Sequence, residues 1–341
     1  ALYLLQSSML MQLPPDSMTY NAAISSCEKG RFWQLALALM REMAVARVSQ
    51  DLITYNAAVS PCEKGLQWEQ ALALICGASA IRIEPNVITC NAAVSACEKA
   101  RRWERALQLL TDSMCSNAMR PDLLTFGALI SACEKTKQWA DAVVLSGLLR
   151  RVGLEPSVVT CSAEISACEK GAQWDLGLAL LGKVRSGGLQ PNYITSNAVI
   201  SACEAGQCWA WALHVMQEAQ GLRAEHDLVR YNAVLSALEK GAQWGRALRH
   251  LTELRAAELK PDIVTFSASM YAFDNGGQWR LVLLVAEQMQ RLDIPMDGIM
   301  HRTALGACQR GRLAECALAL LQGLRLRGQD WLLSAVGCGG S

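Results

Sequence analysis

The sequence has no apolar run that approaches the ~18 residues of a membrane-spanning helix, although 52% of its 341 residues are hydrophobic. Lys, Glu or Arg interrupts every such stretch, which assigns the apolar content to a core and places no part of the chain in a membrane. No C-x-x-C occurs among the fourteen cysteines, and the four histidines (His214, His226, His250, His301) are scattered. That spacing offers zinc no ligand set, so neither a metal nor another cofactor is expected. The H-x-E with a following C-x-x-C that marks zinc deaminases is missing. So are a Gly-rich phosphate loop, an acidic metal cluster and a nucleophile–base arrangement, and an enzyme is not expected. Charge of one sign is lacking too. The net charge is +1, too near neutral to argue for a nucleic-acid partner by itself.

What the sequence has is repetition. Asn91-Ala-Ala-Val-Ser-Ala-Cys-Glu-Lys-Ala-Arg-Arg-Trp103 returns nearly unchanged at Asn21 to Trp33 and Asn56 to Trp68. It returns more altered at Gly127, Ser162, Asn197, Asn232 and Ser267. Tryptophans 33, 68, 103, 139, 174, 209, 244 and 279 stand 35 residues apart, with one step of 36. A fixed period of this size means stacked supersecondary units, here about nine and a half copies. Seven cysteines fall in one slot of the unit: Cys27, Cys62, Cys97, Cys133, Cys168, Cys203 and Cys308. Leu238 and Phe273 occupy the same slot elsewhere, so it wants an apolar side chain, and the thiols read as buried, reduced and structural.

Each unit reads as two helices. The first runs from about Met18 to Lys29, with Tyr20, Ile24 and Cys27 on one face, and Gly30, Gly65, Gly171, Gly206 and Gly241 break it. The second runs from about Phe32 to Ala46, with Trp33, Ala36, Leu37 and Met40 on one face. Trp fills the gap between helices and stacks on its neighbour. Turn residues such as Glu84-Pro-Asn86 and Lys260-Pro-Asp262 close the unit. The eight complete units are 17–51, 52–86, 87–122, 123–157, 158–192, 193–227, 228–262 and 263–297, the third with one extra residue around Cys115 to Arg120. Ala1-Leu-Tyr-Leu-Leu5 matches Ala36 to Met40, so residues 1–16 read as the second helix of a truncated repeat and not as a targeting peptide. Residues 298–332 read as a degenerate ninth repeat and 333–341 as a tail. The expected fold is all-α: a right-handed α-solenoid superhelix whose first helices line the concave face.

Ile53-Thr-Tyr-Asn56 opening a first helix, and Pro85-Asn86 or Pro261-Asp262 closing a unit, resemble the pentatricopeptide repeat family in its P-type, 35-residue form. The resemblance covers essentially the whole chain. Tryptophan stands where that family usually carries Leu, a packing change. The resemblance implies single-stranded RNA as partner, one base per repeat, read by the residue after the opening aromatic and the last residue of the unit. Those pairs are Asn21/Asp51, Asn56/Asn86, Asn91/Asp122, Gly127/Ser157, Ser162/Asn192, Asn197/Asp227, Asn232/Asp262 and Ser267/Asp297. It also implies an aliphatic wedge between bases three places earlier: Met18, Ile53, Ile88, Leu124, Val159, Ile194, Val229 and Val264. The family's pairings translate to 5′-U-(C/U)-U-N-A-U-U-G-3′, with the fourth base open because Gly127 offers no side chain.

Simpler roles compete. Asp or Asn after Pro is a good helix N-cap, yet capping does not account for Asn or Ser at the first reader in seven of the eight units. Lys29, Lys64, Lys99, Lys135, Lys170 and Lys240 share a slot at the end of the first helix, lapsing at Ala205 and Asn275. They suit a helix C-terminus, or they form a line that follows phosphates. The resemblance implies a monomeric RNA binder in the chloroplast or mitochondrion, acting in RNA processing, stability, splicing, editing or translation, with other RNA-processing proteins as possible partners. The alternative from another class is a scaffold for protein–protein contacts.

Overall fold

The computed structural model describes residues 16–115, 120–219 and 228–312, and among them every regular element is a helix. The chain divides into two compact units, residues 1–171 with 179–192 and residues 172–178 with 193–341. The first unit holds α1 (Ser17–Gly30), α2 (Trp33–Val45), α3 (Leu52–Lys64), α4 (Trp68–Ala80), α5 (Val87–Lys99), α6 (Trp103–Cys115), α7 (Leu123–Lys135), α8 (Trp139–Arg151) and α9 (Val158–Lys170). Helix α10 (Trp174–Ser186) begins in the second unit and ends in the first. The second continues with α11 (Tyr193–Ala205), α12 (Trp209–Ala219), α13 (Leu228–Lys240), α14 (Trp244–Ala256), α15 (Ile263–Asn275), α16 (Trp279–Arg291) and α17 (Gly298–Gly311).

Odd helices open each repeat and even helices, each starting on its Trp, close it. Helices α1, α3, α5, α7 and α9 pack in a row in the first unit, as α11, α13 and α15 do in the second. This is an all-α solenoid of helix pairs. The interval between α6 and α7 is one residue longer than that between α4 and α5. The expected truncated repeat at residues 1–16 lies, but for Asp16, outside the described residues, as do most of the second half of the ninth repeat and the tail. No described helix is long and apolar enough to cross a membrane.

The opening helices start where a side chain satisfies an orphan N–H. Asp51, Asn86, Asp122, Ser157 and Asp262 accept from the backbone N–H of the Thr three residues on, at 2.8, 3.0, 2.9, 3.2 and 2.8 Å. At Asp51, Asp122 and Asp262 the Thr hydroxyl also takes the cap residue's own N–H, completing a capping box. The helices end in a left-handed residue, but not the glycine. Gly65 and Gly171 have φ of −83° and −89°, and it is Leu66 and Ala172 that adopt φ of 60° and 55°. Bonds such as Gln67 N–H to Cys62 O (2.9 Å) make the stop a Schellman turn.

The glycine slot answers to a different need, close approach. The indole of Trp139 lies against Gly171, where an added Cβ would sit 2.3 Å from Cδ1. Trp174 meets Gly206, and Trp209 meets Gly241, in the same way. Each Trp thereby joins its repeat to the next and stays half-buried at the seam. The buried face of α2 is accordingly Ala36, Leu39, Met40 and Met43, not one centred on Trp33 and Leu37. Tyr20, Ile24 and Cys27 are buried as their spacing indicates. All seven slot cysteines are buried, with Leu238 and Phe273 beside them in the core. Burial pushes the thiols of Cys62 and Cys97 up to about 11, and those of Cys133 and Cys203 up to about 12.

Candidate nucleic-acid interface

The capping residues are also half of the expected reader pairs, and the structure brings the halves together. Asn21 Nδ2 donates to Asp51 Oδ1 (3.2 Å), Asn91 Nδ2 to both Asp122 oxygens (3.1 and 3.2 Å), and Asn232 Nδ2 to both Asp262 oxygens (3.1 and 3.3 Å). Each pair lies within one repeat, and its second member, the last residue of the unit, also caps the first helix of the next. Ser162 Oγ lies 3.5 Å from Asn192 Oδ1 and gives a shorter bond, 2.7 Å, to Val158 O. Gly127 leaves the space near Ser157 open, the nearest atom to an added Cβ being Thr160 Cγ2 at 3.6 Å. Ser267 turns to its own backbone at Val264 O (3.0 Å), while Asp297 caps α17. Asp227, the partner of Asn197, lies outside the described residues.

A third side chain completes these pairs, one that the sequence reading passed over. Thr54, Thr125 and Thr265 place Oγ1 2.7, 2.5 and 2.6 Å from Oδ1 of Asn21, Asn91 and Asn232. The same hydroxyls lie 2.8, 2.9 and 2.8 Å from the Asp carboxylates. Thr89 meets Asn56 and Asn86 likewise. The Thr of the Ile-Thr-Tyr-Asn opening was the visible signal. Its partner lies a whole repeat away, so spacing inside one unit could not expose the role. At the sixth unit Arg230 stands in the Thr position, and its Nε–H donates to Asn197 Oδ1 at 2.9 Å.

Burial works to raise the carboxyl pKa values of Asp51, Asp122 and Asp262, but bonds from the Thr backbone, the Thr hydroxyl and the Asn amide outweigh it and hold them below the usual value. Beside these polar clusters stand the expected wedges, and all eight are exposed. Exposure runs from 46% at Ile194 to 77% at Met18. Ile299 extends the row into the ninth repeat at 54%. Apolar side chains this accessible, repeated beside a polar triad, are not core.

The lysines have protein partners. Lys64, Lys99, Lys135 and Lys170 pair with Glu28, Glu63, Glu98 and Glu134 of the preceding repeat at 2.7 to 2.9 Å, and Lys240 pairs with Glu204 at 3.1 Å. Ser95, Ser131 and Ser236 donate to Glu63, Glu98 and Glu204, each at 2.7 Å. The line expected to follow phosphates is thus one rail of an ion-pair ladder, while Lys29 is exposed at the end of α1. Among the described residues no group of three or more His, Cys, Asp or Glu could hold a metal.

A family model described as a pentatricopeptide repeat domain matches residues 78–136 and 145–205, and a second, a PPR repeat, matches 18–48. Those segments are pentatricopeptide repeats. The array is similar to the crystal structure of the pentatricopeptide repeat protein PPR10 from maize. The TM-score is 0.61 at 18% identity, over 96% of this chain and 51% of that one. It is similar also to PPR10 in complex with an 18-nt psaJ RNA element, at TM-score 0.55 and 17% identity over 96% and 53%. Identity this low speaks for the shared fold alone, and the array spans about half the length of PPR10. No curated protein matches the sequence.

Proposed function

We propose that this pentatricopeptide array binds single-stranded RNA, one base per repeat, and acts by occupancy in organellar RNA processing, in the chloroplast or mitochondrion. The observation that carries the reading is the pairing, repeat after repeat, of an exposed aliphatic side chain with a polar pair three residues on. The aliphatic offers a surface for a base face, and the amide reaches the Watson–Crick edge of the unstacked base. The complex of PPR10 with an RNA element supports it by fold analogy. The expected word is 5′-U-(C/U)-U-N-A-U-U-G-3′, read with the N-terminal repeat at the 5′ end.

Ion pairing of the lysines alters the energetic balance. Lys64, Lys99, Lys135, Lys170 and Lys240 carry their charge beside a carboxylate, so their attraction for phosphate is weakened and base contacts bear more of the affinity. The test is binding of the octamer against base-shuffled versions at near-physiological salt. A preference of about 1–3 kcal/mol per well-made base contact is expected. Equal affinity across the set would overturn sequence reading and leave the protein-binding scaffold.

A further inference from the structure

We infer that the third residue of the next repeat's opening helix is a positioning residue, which fixes the orientation of the preceding reader amide and so separates uracil from cytosine. The inference rests on the one-base-per-repeat reading and goes beyond it, because it adds a residue from outside the repeat that reads.

The third unit shows the geometry. Asn91 Nδ2 faces the Asp122 carboxylate at 3.1 and 3.2 Å, and Thr125 Oγ1 stands 2.5 Å from Asn91 Oδ1. A carboxylate only accepts, so the amide must turn N–H toward it. The Thr hydroxyl supplies the matching donor on the other side. Turning the amide over would set Oδ1 against Asp122 and leave the hydroxyl proton to the carboxylate alone. Held this way, the amide has one N–H left to offer a base. Uracil presents the O4 acceptor where cytosine presents its N4 amino donor. A locked N–H therefore selects uracil, and an overturned amide, offering Oδ1, selects cytosine.

Two natural departures grade the lock. In the second unit the closing residue is Asn86, which is not a carboxylate, and Asn56 is held by Thr89. A hydroxyl can donate or accept, so both amide orientations are satisfied, and cytosine and uracil are both admitted. In the sixth unit Arg230 holds Asn197 Oδ1 through Nε at 2.9 Å. Guanidinium has no acceptor, so an overturned amide would face N–H with N–H. Arg230 is 5% exposed and its buried Nη2 has no partner, so packing holds the cation in place. The sixth base should show the strictest preference for uracil.

The experiment compares affinities for octamers carrying U or C at base three and at base six. Wild type should favour U roughly tenfold at base three, and more at base six. Thr125→Val, which keeps the shape and removes the hydroxyl, should lower the preference at base three without abolishing it, since Asp122 still holds the amide N–H, and leave bases one and seven as they were. Thr125→Ser should restore the preference, and Arg230→Thr should lower the ratio at base six to that of base three. Loss of affinity for U and C octamers in equal measure, with the ratio intact, would overturn the positioning role and leave Thr125 a structural cap. Should Thr125→Val fail to fold, the Ser and Arg230 variants decide. A wild type that prefers no base anywhere, yet binds RNA, would sink the underlying reading itself, a result distinct from an insensitive ratio.

Discussion

At the scale of the residue, one carboxylate makes two kinds of bond at once, to a helix N-terminus and to a side-chain amide. Asp51, Asp122 and Asp262 cap a helix and hold an amide, and their pKa values lie below the usual one. Because the unfolded chain titrates near pH 4, they stabilise the fold above that pH, and the contribution drains away as pH falls through the lower folded values. Unfolding by denaturant between pH 7 and 3 should show that loss, and Asp122→Asn should reduce it while lowering stability at neutral pH by about 1 kcal/mol. The paired positions and the aliphatic ahead of them were expected from the family resemblance, which singles out the residue after the opening aromatic, the last residue of the unit and the one three places earlier. Thr125 was not, since its hydroxyl acts on Asn91 across a repeat boundary that only folding closes. Glu164 was equally illegible. It stands buried where other units place Ala58 or Ala93, bonded to Ser146 Oγ at 2.8 Å, with burial raising its pKa.

At the scale of the element, the period revealed nearly everything: two helices per unit, the core slot at Cys97 and the caps at Asp122 or Asp262. The glycines were visible but their purpose was misread, because a helix end is a local property and an indole arriving from the previous repeat is not. Gly171→Ala should therefore destabilise through overpacking against Trp139, by about 1–3 kcal/mol. Ala172→Gly, one residue on and in the left-handed conformation, should stabilise by a fraction of that. Paired thermal melts of the two variants would check the assignment. Similar effects in both would mean that the turn, and not the indole, demands the glycine.

At the scale of the whole molecule, stability is roughly a sum over repeats and their seams, and the Lys–Glu ladder is one term of each seam. Both side chains are partly exposed, so a single rung contributes at most about 1 kcal/mol. Lys99→Ala should cost little stability yet weaken every RNA alike, since Glu63 is left as an uncompensated negative charge beside the strand. Adding Glu63→Gln should recover most of that binding. Titrations across a salt series would separate this from loss of a direct phosphate contact, which the second substitution would not repair. The triads carry a different consequence for anyone who recombines such arrays. Asn91 belongs to one repeat, Asp122 ends it, and Thr125 opens its successor, so a 35-residue cassette cut at the repeat boundary carries two members of the triad and leaves the third behind. The junction that moves the whole triad lies past the third residue of the following helix, and a cassette cut there would keep its hydrogen bonds beside any neighbour.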